Sequence, residues 1–189
     1  MKLPALILAS ASPRRAELLR GLGVEFTVLT SDAPEVAPEH LSPSETAQIN
    51  AYRKARAVAK QLPDRLVLGA DTVVGLGNEL FAKPADMADA ERMLARLQGR
   101  THLVVTGVCL LQLRPYRQRL FQVNTAVTFR KLHLKQIRRY LAAIHPFDKA
   151  GSYAIQEEGD SIVKGIAGSF SNVVGLPVER LRQELESWL

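Results

Sequence analysis

The chain has 189 residues, 47% hydrophobic and 23% charged, with 25 Lys and Arg against 19 Asp and Glu, a formal net charge of +6. That length and composition suit one domain, or one compact unit of two lobes, with a real hydrophobic core, and are those of an ordinary soluble chain. The single cysteine, Cys109, excludes an internal disulfide, and nothing in the sequence resembles a zinc site, while the positive balance suits either an anionic partner or a merely solubilising surface.

The opening Met1-Lys2-Leu3-Pro4-Ala5-Leu6-Ile7-Leu8-Ala9 is apolar but too short to span a membrane. It also lacks the longer apolar region and cleavage site of a signal peptide, so the expectation is a cytoplasmic protein. Ala5–Ala9 reads as a short buried strand, and Ser12-Pro13 as the start of a helix running to about Leu22, ended by Gly21 and Gly23. Glu25–Thr30 reads as a second strand, followed by a loop rich in proline and acid through Pro43. Ser44 is expected to cap a long helix reaching about Leu62. Leu66–Val74 reads as a buried strand, with a hairpin turn at Leu76-Gly77-Asn78-Glu79 before Leu80-Phe81-Ala82. Asp86 or Asp89 caps the next helix, which Gly99 closes. Two long strands are expected near Thr101–Leu113 and Arg119–Leu132, joined by a polar connection at Arg114–Gln118. A helix at Leu134–Ala143, short strands at Ser161–Val163 and Val173-Val174, and a terminal helix from Pro177 to Trp188-Leu189 complete the pattern. The interleaving of strands and helices, with no repeat and no linker, predicts an α/β fold over 1–189 as one domain.

Charges interrupt that pattern at three places. Arg14 and Arg15 stand in the first turn of a helix, where the dipole and free N–H groups favour an anion. Arg15 shares its side with Leu18, Leu19 and Leu22; either both arginines reach solvent or internal acids, or they hold phosphate. Lys54 lies in the apolar stripe of Ala47, Ala51, Ala55, Val58 and Leu62, about 20° from Ala47 and about 40° from Val58 at ~100° per residue. A buried lysine needs a partner, so Lys54 forms a structural ion pair or reaches an anion site. Arg53, Arg56 and Lys60 point the other way, as a solvated face. Asp71 stands inside Leu66–Val74 and is either a solvent-facing position at a strand end or a metal ligand or general base.

Glu35 and Lys83 are unremarkable taken singly. Together, cations and a carboxylate from separate segments are what attack on a phosphorus centre requires. No Gly-x-x-x-x-Gly-Lys-Ser/Thr run occurs, and His40, His102, His133 and His145 show no ligand spacing. Cys109, inside the apolar run Val104 to Leu113, reads as a small buried hydrophobe.

The segment Leu6-Ile7-Leu8-Ala9-Ser10-Ala11-Ser12-Pro13-Arg14-Arg15 resembles the opening signature of the Maf family. Leu68-Gly69-Ala70-Asp71-Thr72-Val73-Val74, Lys83-Pro84, Gly99-Arg100-Thr101-His102 and Thr106-Gly107-Val108 are similar to its following motifs. Asp148–Gln156 and Gly168–Pro177 complete a likeness that runs over nearly the whole chain. The resemblance implies an elongated mixed β-sheet flanked by helices, two lobes around a nucleotide cleft, and a homodimer. It implies metal-dependent release of pyrophosphate from a nucleoside triphosphate, with Asp71 as proton acceptor. Ser10, Arg14, Arg15, Lys54 and Lys83 would surround the triphosphate, and Glu35 with Asp71 would hold Mg2+ or Mn2+. Asp148–Gln156 is similar to the branch acting on dTTP and UTP, in which Arg14, Thr72 and Gln156 set the base preference. The sister branch prefers 7-methyl-GTP.

Two departures stand out. Glu157 and Glu158 follow Gln156 where the family has glycine, and Phe81-Ala82 precedes Lys83-Pro84 in place of a leucine-glycine pair. A non-catalytic nucleotide-binding regulator of cell division is the alternative from another class. Stable nucleic-acid binding is not expected, because aromatics are only 6% and no basic–aromatic patch appears.

Overall fold

Alternation of side chains along short apolar runs, the period of a strand, builds the centre of this molecule. The computed structural model describes residues 5–38 and 40–188; the expected readings at Met1–Pro4 and Leu189 lie outside them. In chain order the elements are β1 (Leu6–Leu8), α1 (Pro13–Gly21), β2 (Phe26–Val28), α2 (Pro43–Ala59), β3 (Leu66–Leu76), β4 (Glu79–Phe81) and α3 (Met87–Leu97). They continue with β5 (Thr101–Leu113), β6 (Tyr116–Phe129), α4 (Leu134–Ala143), two 3-10 turns (Pro146–Asp148 and Ala150–Ser152), α5 (Gly159–Ile162), β7 (Val163–Ala167), α6 (Phe170–Val174) and α7 (Val178–Glu186). The strands form one seven-stranded sheet in the order β2-β1-β3-β5-β6-β7, with β4 paired to β3. It is mixed: β1 runs parallel to β2 and β3, while β3–β4 and β6–β7 are antiparallel.

The chain divides into two compact units. The first comprises the residues up to Thr72, Thr106–Val123 and those from Gly175 onward; the second comprises Val73–Val105 and Asn124–Val174. In the first unit the even residues Leu6, Leu8, Leu66, Leu68, Ala70, Val108 and Leu110 join Leu19 of α1 and Leu181 and Leu185 of α7 in one apolar layer. The odd residues Ile7, Ala9, Val67, Cys109 and Leu111 join Ala51, Ala55, Val58 and Ala59 of α2 in the other. Helix α2 can lie this close because Gly69 and Gly107 face it; a Cβ on Gly69 would overlap the backbone of Ala51, and one on Gly107 that of Ala47. The second unit has its own core, from α3, α4 and parts of β5 and β6, including Met93, Leu94, Leu97, Val104, Phe129, Ile137, Tyr140 and Tyr153.

Several local expectations are corrected. Ser42, not Ser44, caps α2: its Oγ accepts from the Glu45 N–H at 3.3 Å, while Glu45 Oε2 accepts from the Ser42 N–H at 2.9 Å. Proline at the first helical position and a glutamate three residues after Ser42 make that capping box. Asp86 rather than Asp89 caps α3, accepting from the Asp89 N–H at 2.8 Å. The β5–β6 connection is the tight Arg114-Pro115 turn, so β6 begins at Tyr116 and ends at Phe129 rather than Leu132. Ser161 and Ile162 end a helical turn, and the strand follows as Val163–Ala167, an edge strand whose half-exposed pattern carries little apolar signal. Val173-Val174 lies in α6, where packing overrides the strand preference of β-branched residues. Arg53 is half-buried, with its Nε enclosed, rather than fully solvated. Among the described residues no helix is long and apolar enough to cross a membrane.

Candidate functional site

The same alternation that sorts the apolar layers fixes where the polar residues of β3 point. Asp71 continues the odd series of Val67 and Gly69 and therefore faces α2, while Thr72 continues the even series and faces α1. Strand β1 stops at Leu8, paired with Leu68, and its last tie to β3 is the Ala9 N–H to the Leu68 carbonyl at 2.8 Å. Beyond that point Ser10 and Thr72 of β3 are joined through Arg15, which donates to both hydroxyls. The carboxyl ends of parallel strands, where a neighbour stops, are where open α/β sheets bind ligands.

On the α2 side, Asp71 is buried at 5% exposure. Its Oδ1 accepts from Lys54 Nζ at 2.6 Å and its Oδ2 from Asn50 Nδ2 at 3.1 Å. Lys54 Nζ also donates to Glu35 Oε1 at 2.8 Å. One ammonium thus lies against two carboxylates, with side-chain exposures of 13% for Lys54, 7% for Asp71 and 43% for Glu35. Of the two readings open for Lys54, the structure shows the ion pair, and with the acid that was itself anomalous in the sequence. Asp71 does not face solvent from the strand end.

On the other side, Arg15 donates from Nε to the Gly175 carbonyl at 2.8 Å, from Nη1 to Ser10 Oγ at 3.1 Å and from Nη2 to Thr72 Oγ1 at 2.9 Å. Thr72 Oγ1 in turn meets Thr106 Oγ1 at 3.0 Å. These three acceptors are neutral, so they hold the guanidinium in position without cancelling its charge. Burial pulls Arg15 below the ordinary arginine pKa; the negative charges of Asp71 and then Glu35 oppose that, and Arg14 adds to it. Gly175 serves this arrangement through its backbone: at φ 125° it turns its carbonyl toward Arg15, and a Cβ there would come within 3.6 Å of Arg15 Nε. Ser12, at the N-cap of α1, makes no side-chain cap, and the first turn holds no acid. The first turn of the helix thus carries backbone N–H groups without a side-chain cap, an arrangement suited to an anion.

Ser10, Arg14, Arg15, Glu35, Lys54, Asp71 and Thr72 all belong to the first unit. Lys83 and Gln156 belong to the second, both exposed. Gln156 is flanked by fixed points. Tyr140 Oη donates to the Ala154 carbonyl at 3.1 Å and accepts from its N–H at 3.0 Å. Lys149, with its side chain 4% exposed, pairs with Asp148 Oδ1 at 2.8 Å and with Glu157 Oε1 at 3.3 Å. The Glu157 charge that departs from the family pattern is therefore matched by a buried lysine. Glu158 takes the left-handed conformation, φ 54°, that a glycine would adopt without strain.

Asn50, Thr106 and the Gly175 carbonyl escaped the sequence reading. Asn50 had a signal, an amide one helical turn before Lys54 on the apolar side of α2; Thr106 and Gly175 stood inside family-like motifs that gave them no role. Among the described residues no group of three or more His, Cys, Asp or Glu side chains gathers as a metal site.

The family model described as Maf-like protein matches residues 5–188. A protein named dTTP/UTP pyrophosphatase from Pelotomaculum thermopropionicum is 43% identical over 183 residues, 97% of this chain and 96% of its own length. Proteins of the same name from Moorella thermoacetica, 48% identical over 95% of this chain and 93% of the relative, and from Exiguobacterium sibiricum, 46% identical over 97% and 92%, are similar throughout.

Proposed function

The chain belongs to the Maf family, and from that premise we propose that it hydrolyses dTTP and UTP to the nucleoside monophosphate and pyrophosphate. The observation that carries this reading is Asp71. It is a carboxylate buried in an otherwise apolar strand, oriented by Asn50 and Lys54, in the unit that also holds Arg15 on neutral acceptors. Asp71 takes a proton from water as the water oxygen bonds to the α-phosphorus. The bond from that phosphorus to the bridging β-phosphate oxygen breaks, and pyrophosphate leaves with the electron pair. Arg14, Arg15, Lys54 and Lys83 neutralise the triphosphate, and Ser10 at the turn before α1 contributes a hydroxyl. Gln156, able to donate and accept, reads the pyrimidine edge together with Arg14 and Thr72.

The residues present fit a divalent cation. Glu35 and Asp71 converge on one positive centre and are hard oxygen donors. A pair of carboxylates completed by phosphate and water is how Mg2+ is commonly held. When bound there, Mg2+ or Mn2+ supplies charge neutralisation at the phosphate oxygens and a more acidic water. It competes with the Lys54 ammonium for the same two carboxylates. The resemblance further supports a cytoplasmic homodimer.

The test is a panel of UTP, dTTP and 7-methyl-GTP with Mn2+. UTP and dTTP yield monophosphate plus pyrophosphate. Release of orthophosphate, or faster turnover of 7-methyl-GTP, defeats the assignment. Asp71→Asn, which keeps the shape, loses on the order of 10²–10⁴-fold in kcat; near-normal turnover removes Asp71 from the role of base.

A further inference from the structure

Asn50 lies on α2 one turn before Lys54, with only 3% of its surface exposed. Its neighbours on that side, Ala47, Ala51, Ala55 and Val58, are fully buried and apolar. An amide among them costs free energy unless its hydrogen bonds are made. They are, and all go to one place. Oδ1 accepts from the Val36 N–H at 2.9 Å; Nδ2 donates to the Val36 carbonyl at 3.0 Å and to Asp71 Oδ2 at 3.1 Å. Val36 follows Glu35, whose Oε1 meets Lys54 Nζ at 2.8 Å. Residues 29–38 carry no helix or strand, so the position of Glu35 depends on side-chain ties of this kind.

We propose that Asn50 is a positioning residue that couples the Asp71 carboxylate to the backbone of the loop carrying Glu35. It thereby holds both carboxylates around one cation. The proposal rests on the reading of Asp71 and Glu35 as the working acids. No other side chain of this size does the same. Aspartate keeps an acceptor for the Val36 N–H but loses both donations and sets a second negative charge against Asp71. Leucine keeps the volume and loses all three bonds.

The experiment combines UTP kinetics with Mn2+ for Asn50→Asp, Asn50→Leu, Glu35→Gln and the double variant Asn50→Leu/Glu35→Gln. Hydrogen–deuterium exchange of peptides covering 31–38 is measured in the metal-free, nucleotide-free protein. Each Asn50 variant should lose roughly 100-fold in kcat, with the smaller change in KM. Exchange over 31–38 should accelerate, and the double variant should be no slower than Glu35→Gln alone, because both changes remove one coupled arrangement. Effects that multiply, or unchanged exchange over 31–38, overturn the proposal, since a merely structural amide would act independently of Glu35. If Asn50→Leu does not fold, Asn50→Asp closes the same cycle. A wild-type protein inert toward every nucleoside triphosphate would defeat the proposed function instead, and the exchange data would still decide whether Asn50 fixes the loop.

Discussion

Replacing Lys54 by methionine keeps the length of the side chain and deletes the ammonium that lies 2.6 Å from Asp71 and 2.8 Å from Glu35. Breaking a buried ion pair by removing one partner costs about 3–5 kcal/mol, because the other charge stays desolvated. Asp71, with its side chain 7% exposed, is in that position, but Asn50 still donates to its Oδ2 at 3.1 Å. The retained bond places the cost near the lower end, about 3 kcal/mol. The exposed pair with Glu35, 43% exposed, adds at most ~1 kcal/mol. At roughly 2–4 °C per kcal/mol for a chain of this size, a total of about 3–4 kcal/mol should make Lys54→Met melt about 6–16 °C below wild type. The vacated place between two carboxylates should then favour a divalent ion. Millimolar Mn2+ is therefore expected to raise the Tm of Lys54→Met more than that of wild type, in which the ammonium competes. Differential scanning fluorimetry with Mn2+ or EDTA reads both effects. A variant melting within ~2 °C of wild type would show that the Asp71 charge does not depend on Lys54, and the reasoning would fail.

Arg15→Lys keeps the charge but cannot reproduce a fork that donates to Gly175, Ser10 and Thr72 together; KM for UTP should rise about tenfold or more, and an unchanged KM would argue against a phosphate role for this arginine. Gly69→Ala puts a methyl into the Ala51 backbone and 2.7 Å from the Ala55 nitrogen, so α2 must move. The cost should exceed the ~1–3 kcal/mol of ordinary overpacking, and a normal melting curve would contradict the close approach. Burial holds the His102 imidazole at about 4, below its ordinary 6.5. The native ring stays neutral while the unfolded chain takes up a proton below about pH 6.5, so its contribution is intact above that pH and is lost as the pH falls toward 4. Urea midpoints should show a loss on the order of 3 kcal/mol at pH 4 that His102→Gln lacks; parallel pH curves would refute it.

Much of the architecture was legible because periodicity is local. The short apolar runs in Leu66–Leu76 and Thr101–Leu113 and the stripe of α2 identify buried strands and a helix without reference to the rest of the chain. Elements whose stability comes from neighbours were misread. Val163–Ala167 is an edge strand with few apolar residues, and Val173-Val174 is helical against its own preference. The N-cap of α2 was missed by two residues although its capping box is a local signal.

The residues alone announced that a lysine and an aspartate stood where an apolar pattern should exclude them, because desolvating a charge is costly enough to make its presence informative. Which partners meet was decided by the fold. Asp71 and Thr72, adjacent in β3, point to opposite faces, one toward Lys54 and Asn50 and the other toward Arg15. Arg15 reaches a carbonyl 160 positions away at Gly175. The acceptors of Arg15 are neutral backbone and hydroxyl groups, which carry no side-chain charge to betray them, and these contacts exist only once parallel strands and the helices over them have brought distant segments together.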